Sequence, residues 1–173
     1  METWFEEIYE TNSDRIYRYL YMQVGDPDVA EDLTQETFIK AYRGKQDFAG
    51  KSSAYTWLYS IARHVSYDYF RKKRPLAFLP EFFQRQPEVE PLPMDNALEI
   101  GEEAAMMYEG LGELKDHYRQ VILLRHIHEL SVKETGEVLG WSESKVKSTL
   151  HRAMPALRSQ MEKRGVTHET VRS

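Results

Sequence analysis

The sequence predicts an all-α protein made of two small helical domains joined by an acidic, proline-containing linker, the C-terminal domain being a helix-turn-helix. Three observations predict this. Apolar residues recur at three- and four-residue spacing on both sides of residues 75–110. That block holds five of the seven prolines (Pro75, Pro80, Pro87, Pro91, Pro93) and 8 acidic against 1 basic side chain, a composition that forbids continuous helix. Residues 131–157 show a capped short helix, a glycine turn and a longer helix. At 173 residues the chain suits one domain or two small ones and excludes a large catalytic barrel.

The elements follow in order. Residues 2–25 set Trp4, Phe5, Ile8, Tyr9, Ile16, Tyr19, Leu20 and Val24 on one face of a helix or helix pair. Gly25-Asp26-Pro27 stops it and starts a second helix over 27–43, with Asp26 as cap and Pro27 in the first turn, where no N–H is needed. A loop from Gly44 to Ser53 leads to a third, aromatic-rich helix over 54–74, completing a domain over 1–74. Beyond the linker a helix is expected over 113–129, with Leu114, Tyr118, Val121 and Leu124 in register. Ser131 and Glu134 form a capping box for a short helix ending at Gly140, and Ser142 caps the next, so 111–165 forms the second domain. Residues 166–173 read as a frayed tail.

Net charge is −5 but segregated: −1 over residues 1–74, −7 over 75–110 and +3 over 111–173. The absence of cysteine removes disulfide frameworks, zinc ribbons, thiol catalysis and iron–sulfur clusters, and fits a reducing compartment. The acidic N-terminal stretch has no apolar core of signal-peptide length, and no run of the sequence suits membrane insertion; a cytoplasmic protein is expected. His126 and His128 diverge on a helix, and no Gly-rich phosphate loop or serine–histidine–acid set occurs, so neither an enzyme, a metal site nor a cofactor is expected.

Binding chemistry is better represented. On the last helix Val146, Leu150, Ala153 and Leu157 face one way, while Ser144, Lys147, Ser148, His151 and Arg158 face the other, flanked by Lys145 and Arg152. Residues 144–161 contain no Asp or Glu, which suits contact with phosphates and base edges in a major groove. The plain alternative is a solvated basic face on a helical hairpin. On the third helix Leu58, Ala62, Val65 and Tyr69 form the core stripe. Ser60, Arg63, His64, Tyr67, Arg71 and Arg74 form an exposed stripe of cations and aromatics, which suits single-stranded nucleic acid. The Arg71-Lys72-Lys73-Arg74 run has a structural reading too, as cations at a helix C-terminus. On the second helix Leu33, Thr37 and Ala41 face inward and leave Glu31, Asp32, Gln35 and Glu36 as an acidic surface. That surface cannot hold DNA but fits a basic protein partner.

These residues resemble a bacterial sigma factor of the sigma-70 family, of the minimal two-domain extracytoplasmic-function (ECF) group. AEDLTQETFIKAYR is similar to the helix by which sigma factors grip core RNA polymerase. TWLYSIARHVSYDYFRKKR is similar to the segment that opens and reads the minus-ten element, and YRQVILLRHIHELSVKETGEVLGWSESKVKSTLHRA to the domain that reads the minus-thirty-five element. The resemblance implies that Glu31, Asp32, Gln35, Glu36 and Ile39 contact core polymerase, whose clamp helices and flap would receive the two domains. It implies a base-capturing loop over 48–54 and minus-ten contacts from Phe48, Lys51, Ser52, Tyr55, Arg63, His64, Tyr67, Arg71, Lys72, Lys73 and Arg74. Ser144, Lys145, Lys147, Ser148, His151 and Arg152 would contact the minus-thirty-five duplex. An anti-sigma factor is implied as a further partner. Two residues depart from the family pattern: His64, where many relatives carry asparagine, and Pro155, which predicts a kink or an early end of the recognition helix.

Two other classes fit parts of the pattern. A helix-turn-helix regulator would bind duplex operator DNA without polymerase, and a helical adaptor would bind no DNA. The sigma reading requires the domains to part: a promoter spacer of about 17 base pairs spans ~58 Å at ~3.4 Å each, within the ~100 Å that a linker of roughly 30 residues can reach.

Overall fold

A computed structural model describes residues 3–48, 50, 53–73 and 102–172, and every described regular element is helical. The first helix, α1, runs Thr3–Val24 as a single piece. Gly25, at φ 70, turns the chain into α2, Pro27–Arg43. The Asp26 carboxylate accepts the Asp28 and Val29 amides at 2.9 and 3.2 Å, as the cap position requires. A single 3-10 turn, Lys45–Asp47, leads towards α3, Ala54–Lys73.

The first core takes Ile8, Ile16, Tyr19 and Leu20 from α1, Leu33, Phe38 and Ala41 from α2, and Leu58, Tyr59, Ala62 and Val65 from α3. Each fully buried leucine here contributes roughly 1.5–3 kcal/mol relative to an exposed one. Of the expected stripe of α3, Leu58, Ala62 and Val65 are buried and Tyr69 is half-buried, and Tyr59 and Ser66 are buried too.

Residues 75–101 of the expected linker lie outside the described residues, and its C-terminal end is not linker. Glu102–Gly112 forms helix α4, whose Leu111 is buried in a second core with Leu114, Val121, Ile122, Leu123, Val146, Ala153 and Leu157. The helix expected over 113–129 is likewise interrupted. Asp116–Ile122 forms α5, and Leu123–Ile127 widens into a π turn in which the His128 amide reaches back to the Leu123 carbonyl at 2.9 Å. The wider turn lets two consecutive leucines face opposite ways: Leu123 enters the second core and Leu124 the first. Glu129 then reverses the chain in the left-handed region at φ 58.

Val132–Leu139 forms α6 and Glu143–Arg172 forms α7. Pro155 lies inside α7 and does not end it: the helix continues to Arg172, which corrects the expected early end. Packing outweighs the lost hydrogen bond. Beyond the proline, Leu157 and Met161 close on Gly110 of α4, where an added Cβ would meet them at 3.2 and 3.5 Å. Arg164 also pairs with Glu109 of α4 and with Glu113 just past its end, at 2.6 and 3.3 Å.

Candidate functional site

The helix-turn-helix is built as its sequence requires. The Ser131 hydroxyl accepts the Glu134 amide at 3.1 Å and the Glu134 carboxylate accepts the Ser131 amide at 2.7 Å, closing the capping box of α6. Gly140 ends α6 at φ 70, ψ 33, a conformation cheap only for glycine. Gly136 is constrained by space: a Cβ there would stand 2.6 Å from the Trp141 carbonyl oxygen. Val146 and Ala153 are fully buried, which fixes the roll of α7 and leaves Ser144, Lys145, Lys147, Ser148, His151 and Arg152 all exposed. Lys145 Nζ rests 4.5 Å from the Trp141 ring centroid.

On α2 the burial of Leu33, Thr34, Thr37, Phe38 and Ala41 turns Glu31, Asp32, Gln35 and Ile39 outward, with Glu36 half-buried and paired to Lys40 at 3.4 Å. Ile39 is 50% exposed, an apolar side chain set among carboxylates. Tyr42, one turn on, is 41% exposed and packs edge-on against Phe5, while exposed Tyr9 packs against Phe38. These aromatics extend the Ile39 surface and were missed from the sequence, where helical spacing assigned Tyr9 to the core.

The α3 face is arranged differently from the open stripe that the sequence predicts. Phe48 lies between Trp4 and Trp57, with ring centroids 6.0 and 5.0 Å away. His64 is exposed, its Nδ1 2.7 Å from the Ser60 carbonyl, and Arg71 and Lys72 are exposed, Arg71 being paired with Asp68. Lys73 is the last residue of α3. Lys51, Ser52 and Arg74 lie outside the described residues. Tyr55 and Tyr67 are half-buried, with their hydroxyls engaged. The Tyr55 hydroxyl donates to Glu134 at 2.7 Å, and the Tyr67 hydroxyl donates to Asp116 at 2.8 Å with the Arg63 guanidinium 4.7 Å from its ring centroid. The correction has a physical cause: the helix-turn-helix domain is packed on this face, and its carboxylates supply acceptors for both phenols.

Profiles of two protein families match the chain, Sigma-70 region 2 over residues 8–75 and Sigma-70, region 4 over residues 104–157. The ECF RNA polymerase sigma factor SigX of Bacillus subtilis is 38% identical over 167 residues, covering 94% of this chain and 86% of SigX. The ECF RNA polymerase sigma factor SigW of the same organism is 34% identical, covering 91% of this chain and 88% of SigW. The chain belongs to the ECF sigma factor family. Its fold is also that of two solved proteins, the first of them a sigma factor. RpoE of Bartonella quintana, in complex with the anti-sigma factor NepR, aligns with TM-score 0.72 at 22% identity over 91% of this chain and 96% of that one. CnrH, in complex with the cytosolic domain of CnrY, aligns with TM-score 0.69 at 21% identity over 92% and 88%.

In this sigma factor the region-2 and region-4 units share one continuous interface. The Tyr19 hydroxyl donates to Gln120 Oε1 at 2.8 Å, and Gln120 Nε2 donates to Gln23 Oε1 at 2.7 Å. Tyr59 Oη lies 2.7 Å from His128 Nδ1. Burial pushes the Tyr67 phenol up to about 12 and the His128 imidazole down to about 4, the latter helped by the nearby Arg15 and Arg18 cations. The Tyr55 phenol is raised by its bond to Glu134 and by burial. Burial opposes ionisation of Glu134, yet bonds from Ser131 and Tyr55 hold it below the usual carboxylate range. No group of three His, Cys, Asp or Glu side chains suited to a metal occurs among the described residues, and no described helix is long and apolar enough to cross a membrane.

Proposed function

We propose that this chain acts as a sigma subunit: it joins core RNA polymerase, directs it to specific promoters and promotes opening of the DNA. The observation that carries the reading is the match of sigma regions 2 and 4, in that order, to two helical units in a chain whose relatives are ECF RNA polymerase sigma factors. In this reading residues 1–74 form the first domain and residues 111–165 the second, with 102–110 joined to the second rather than to the linker.

Each face has its own chemistry. The α2 surface of Glu31, Asp32, Gln35, Glu36 and Ile39 meets the clamp helices of the polymerase, carboxylates supplying orientation and Ile39 a small apolar anchor. On α7, Lys145, Lys147 and Arg152 contact phosphates of the minus-thirty-five duplex, and Ser144, Ser148 and His151 stand where base edges pass in the major groove, while the flap receives this domain. On α3, Tyr55, Arg63, His64 and Tyr67, with Phe48, Lys51 and Ser52 of the preceding loop, take the unstacked nontemplate strand of the minus-ten element. The cations from Arg71 to Arg74 hold its backbone. Opening consumes no nucleotide: unstacking costs a few kcal/mol per base, and capture of the flipped base offsets it, so the open form is selected.

The isolated chain carries net charge −5 and binds promoter DNA weakly, because counterion release requires many cations on one surface. On the polymerase two weak contacts become intramolecular and add. The protein works in the cytoplasm, where the polymerase is, and an anti-sigma factor restrains it, as suggested by RpoE having been solved in complex with one. The test is transcription from genomic templates with purified core enzyme, with and without this chain. New start sites that depend on it support the reading; their absence overturns it.

A further inference from the structure

We infer that α1 carries a second cationic contact to the promoter: Arg15 and Arg18 bind phosphates of the nontemplate strand beside the Tyr55 end of α3. The inference rests on the reading of α3 as the minus-ten face and extends that face onto a second helix.

Both arginines are exposed on α1, and among the described residues neither makes an ion pair or a hydrogen bond, although Asp14 stands one turn before Arg18. Guanidiniums elsewhere are engaged: Arg119 pairs with Asp116, Arg164 with Glu109, and Arg125 donates to the Leu130 carbonyl. Like charges three residues apart on a helix stand with their Cβ atoms ~5–6 Å apart and repel each other. A phosphate between them replaces that repulsion with a shared attraction, and each guanidinium fork matches two phosphate oxygens.

Arg15 is also held in place. Its guanidinium carbon lies 5.8 Å from the Tyr55 ring centroid, a contact that steadies the side chain without pairing its N–H donors. Burial raises the Tyr59 phenol, and Arg15 and Arg18 partly oppose that rise. The same two cations add to the effect of burial on the His128 imidazole. Both guanidiniums therefore stand near the seam of α1 with α3.

The helices that flank α3 differ in charge. Lys40 of α2 reaches Asp68 at 3.9 Å and Arg15 of α1 reaches Tyr55, so α2 and α1 border α3 on different sides. At 3.6 residues per turn, Arg63, Tyr67, Arg71 and His64 run between Tyr55 and Asp68. On the α2 border Glu31, Asp32 and Glu36 repel a polyanion, whereas on the α1 border Arg15 and Arg18 attract it. Residues 1–74 sum to −1, so strand binding by this domain depends on such segregation. A strand held at Tyr55 and Arg63 passes the two arginines as it leaves α3.

The test uses holoenzyme assembled from core polymerase and the full chain. The probe is a fluorescent single-stranded oligonucleotide carrying the nontemplate minus-ten segment of a promoter located by start-site mapping. Arg15→Gln and Arg18→Gln each remove one cation at an exposed position and are expected to keep far-UV helicity and affinity for core. Each is expected to weaken oligonucleotide binding about fivefold, the upper range for one exposed ion pair, and to shrink the slope of log affinity on log salt by about 0.7. Arg15→Lys and Arg18→Lys keep the charge and are expected to keep the slope. Affinity and slope equal to wild type in both glutamine variants overturn the inference. So does weaker binding with an unchanged slope, the mark of a structural role, or an equal loss of affinity for core, which assigns the arginines to the enzyme. Arg63→Gln separates the two readings. If it weakens binding while the α1 variants do not, the α3 face stands and the α1 contact falls; if the wild-type holoenzyme binds no such strand, both fall.

Discussion

Tyr59 and His128, 69 residues apart in the chain, meet with Oη and Nδ1 at 2.7 Å in the seam between the two domains. Burial, with Arg15 and Arg18 nearby, holds the imidazole down to about 4, so it is neutral at neutral pH and accepts the Tyr59 hydroxyl. The folded value lies below the unfolded value of about 6.5. The associated stability is therefore complete above pH ~6.5 and is lost as pH falls towards 4, a loss on the order of 3 kcal/mol. Urea unfolding between pH 7 and 4.5 is expected to show that slope. His128→Gln, which keeps an acceptor and cannot titrate, is expected to flatten it; an equal slope in the variant contradicts the assignment.

Gly136 tests the geometry of the turn. A methyl group there would stand 2.6 Å from the Trp141 carbonyl oxygen, a backbone atom of the turn. Gly136→Ala is expected to destabilise the C-terminal domain by about 1–3 kcal/mol through overpacking, measured as a lower unfolding midpoint. A midpoint equal to wild type would show that the turn relaxes freely.

Ile39 tests the protein-binding face. It is 50% exposed, so Ile39→Ala changes stability by no more than ~0.5 kcal/mol. Affinity for core polymerase is expected to fall about tenfold, equivalent to ~1.4 kcal/mol, in a competition assay against the wild-type chain. An undiminished affinity removes Ile39 from the interface.

The recognition helix has a salt signature. Lys147→Ala and Arg152→Ala each remove one cation from the exposed face of α7. Holoenzyme–promoter affinity is expected to weaken, and the slope of log affinity on log salt to shrink by about 1 for each. His151→Ala, which leaves the cations in place, is expected to change promoter preference with little change in slope. Equal slopes in all three variants would contradict the division between phosphate and base contacts.

Local chemistry made much of this fold legible in the sequence. Asp26-Pro27 and Gly44 bound α2 over 27–43 as read, and Ser131, Glu134 and Gly140 bound α6, because caps and left-handed turns act within a few residues. The ECF membership and the two-domain helical fold were legible from motif order. What escaped the sequence depends on contacts between distant segments. Tyr19 and Gln120 are 101 residues apart, and nothing in either neighbourhood shows that they meet. The exposed stripe on α3 was read correctly as polar, yet Tyr55 and Tyr67 are occupied because another domain supplies their acceptors. The end of α7 was misread for the same reason: Pro155 is a local breaker, but Gly110 and Glu109 of α4 hold the helix beyond it.

The central claim is that this chain gives core polymerase a promoter specificity it lacks alone. The most direct measurement is a gel shift and run-off transcription on a promoter fragment chosen by start-site mapping, with the chain alone, with core alone and with both. The account predicts a specific complex and a defined transcript only when both are present. A specific complex formed by the chain alone, or no transcript from the combined proteins on any template, would contradict it.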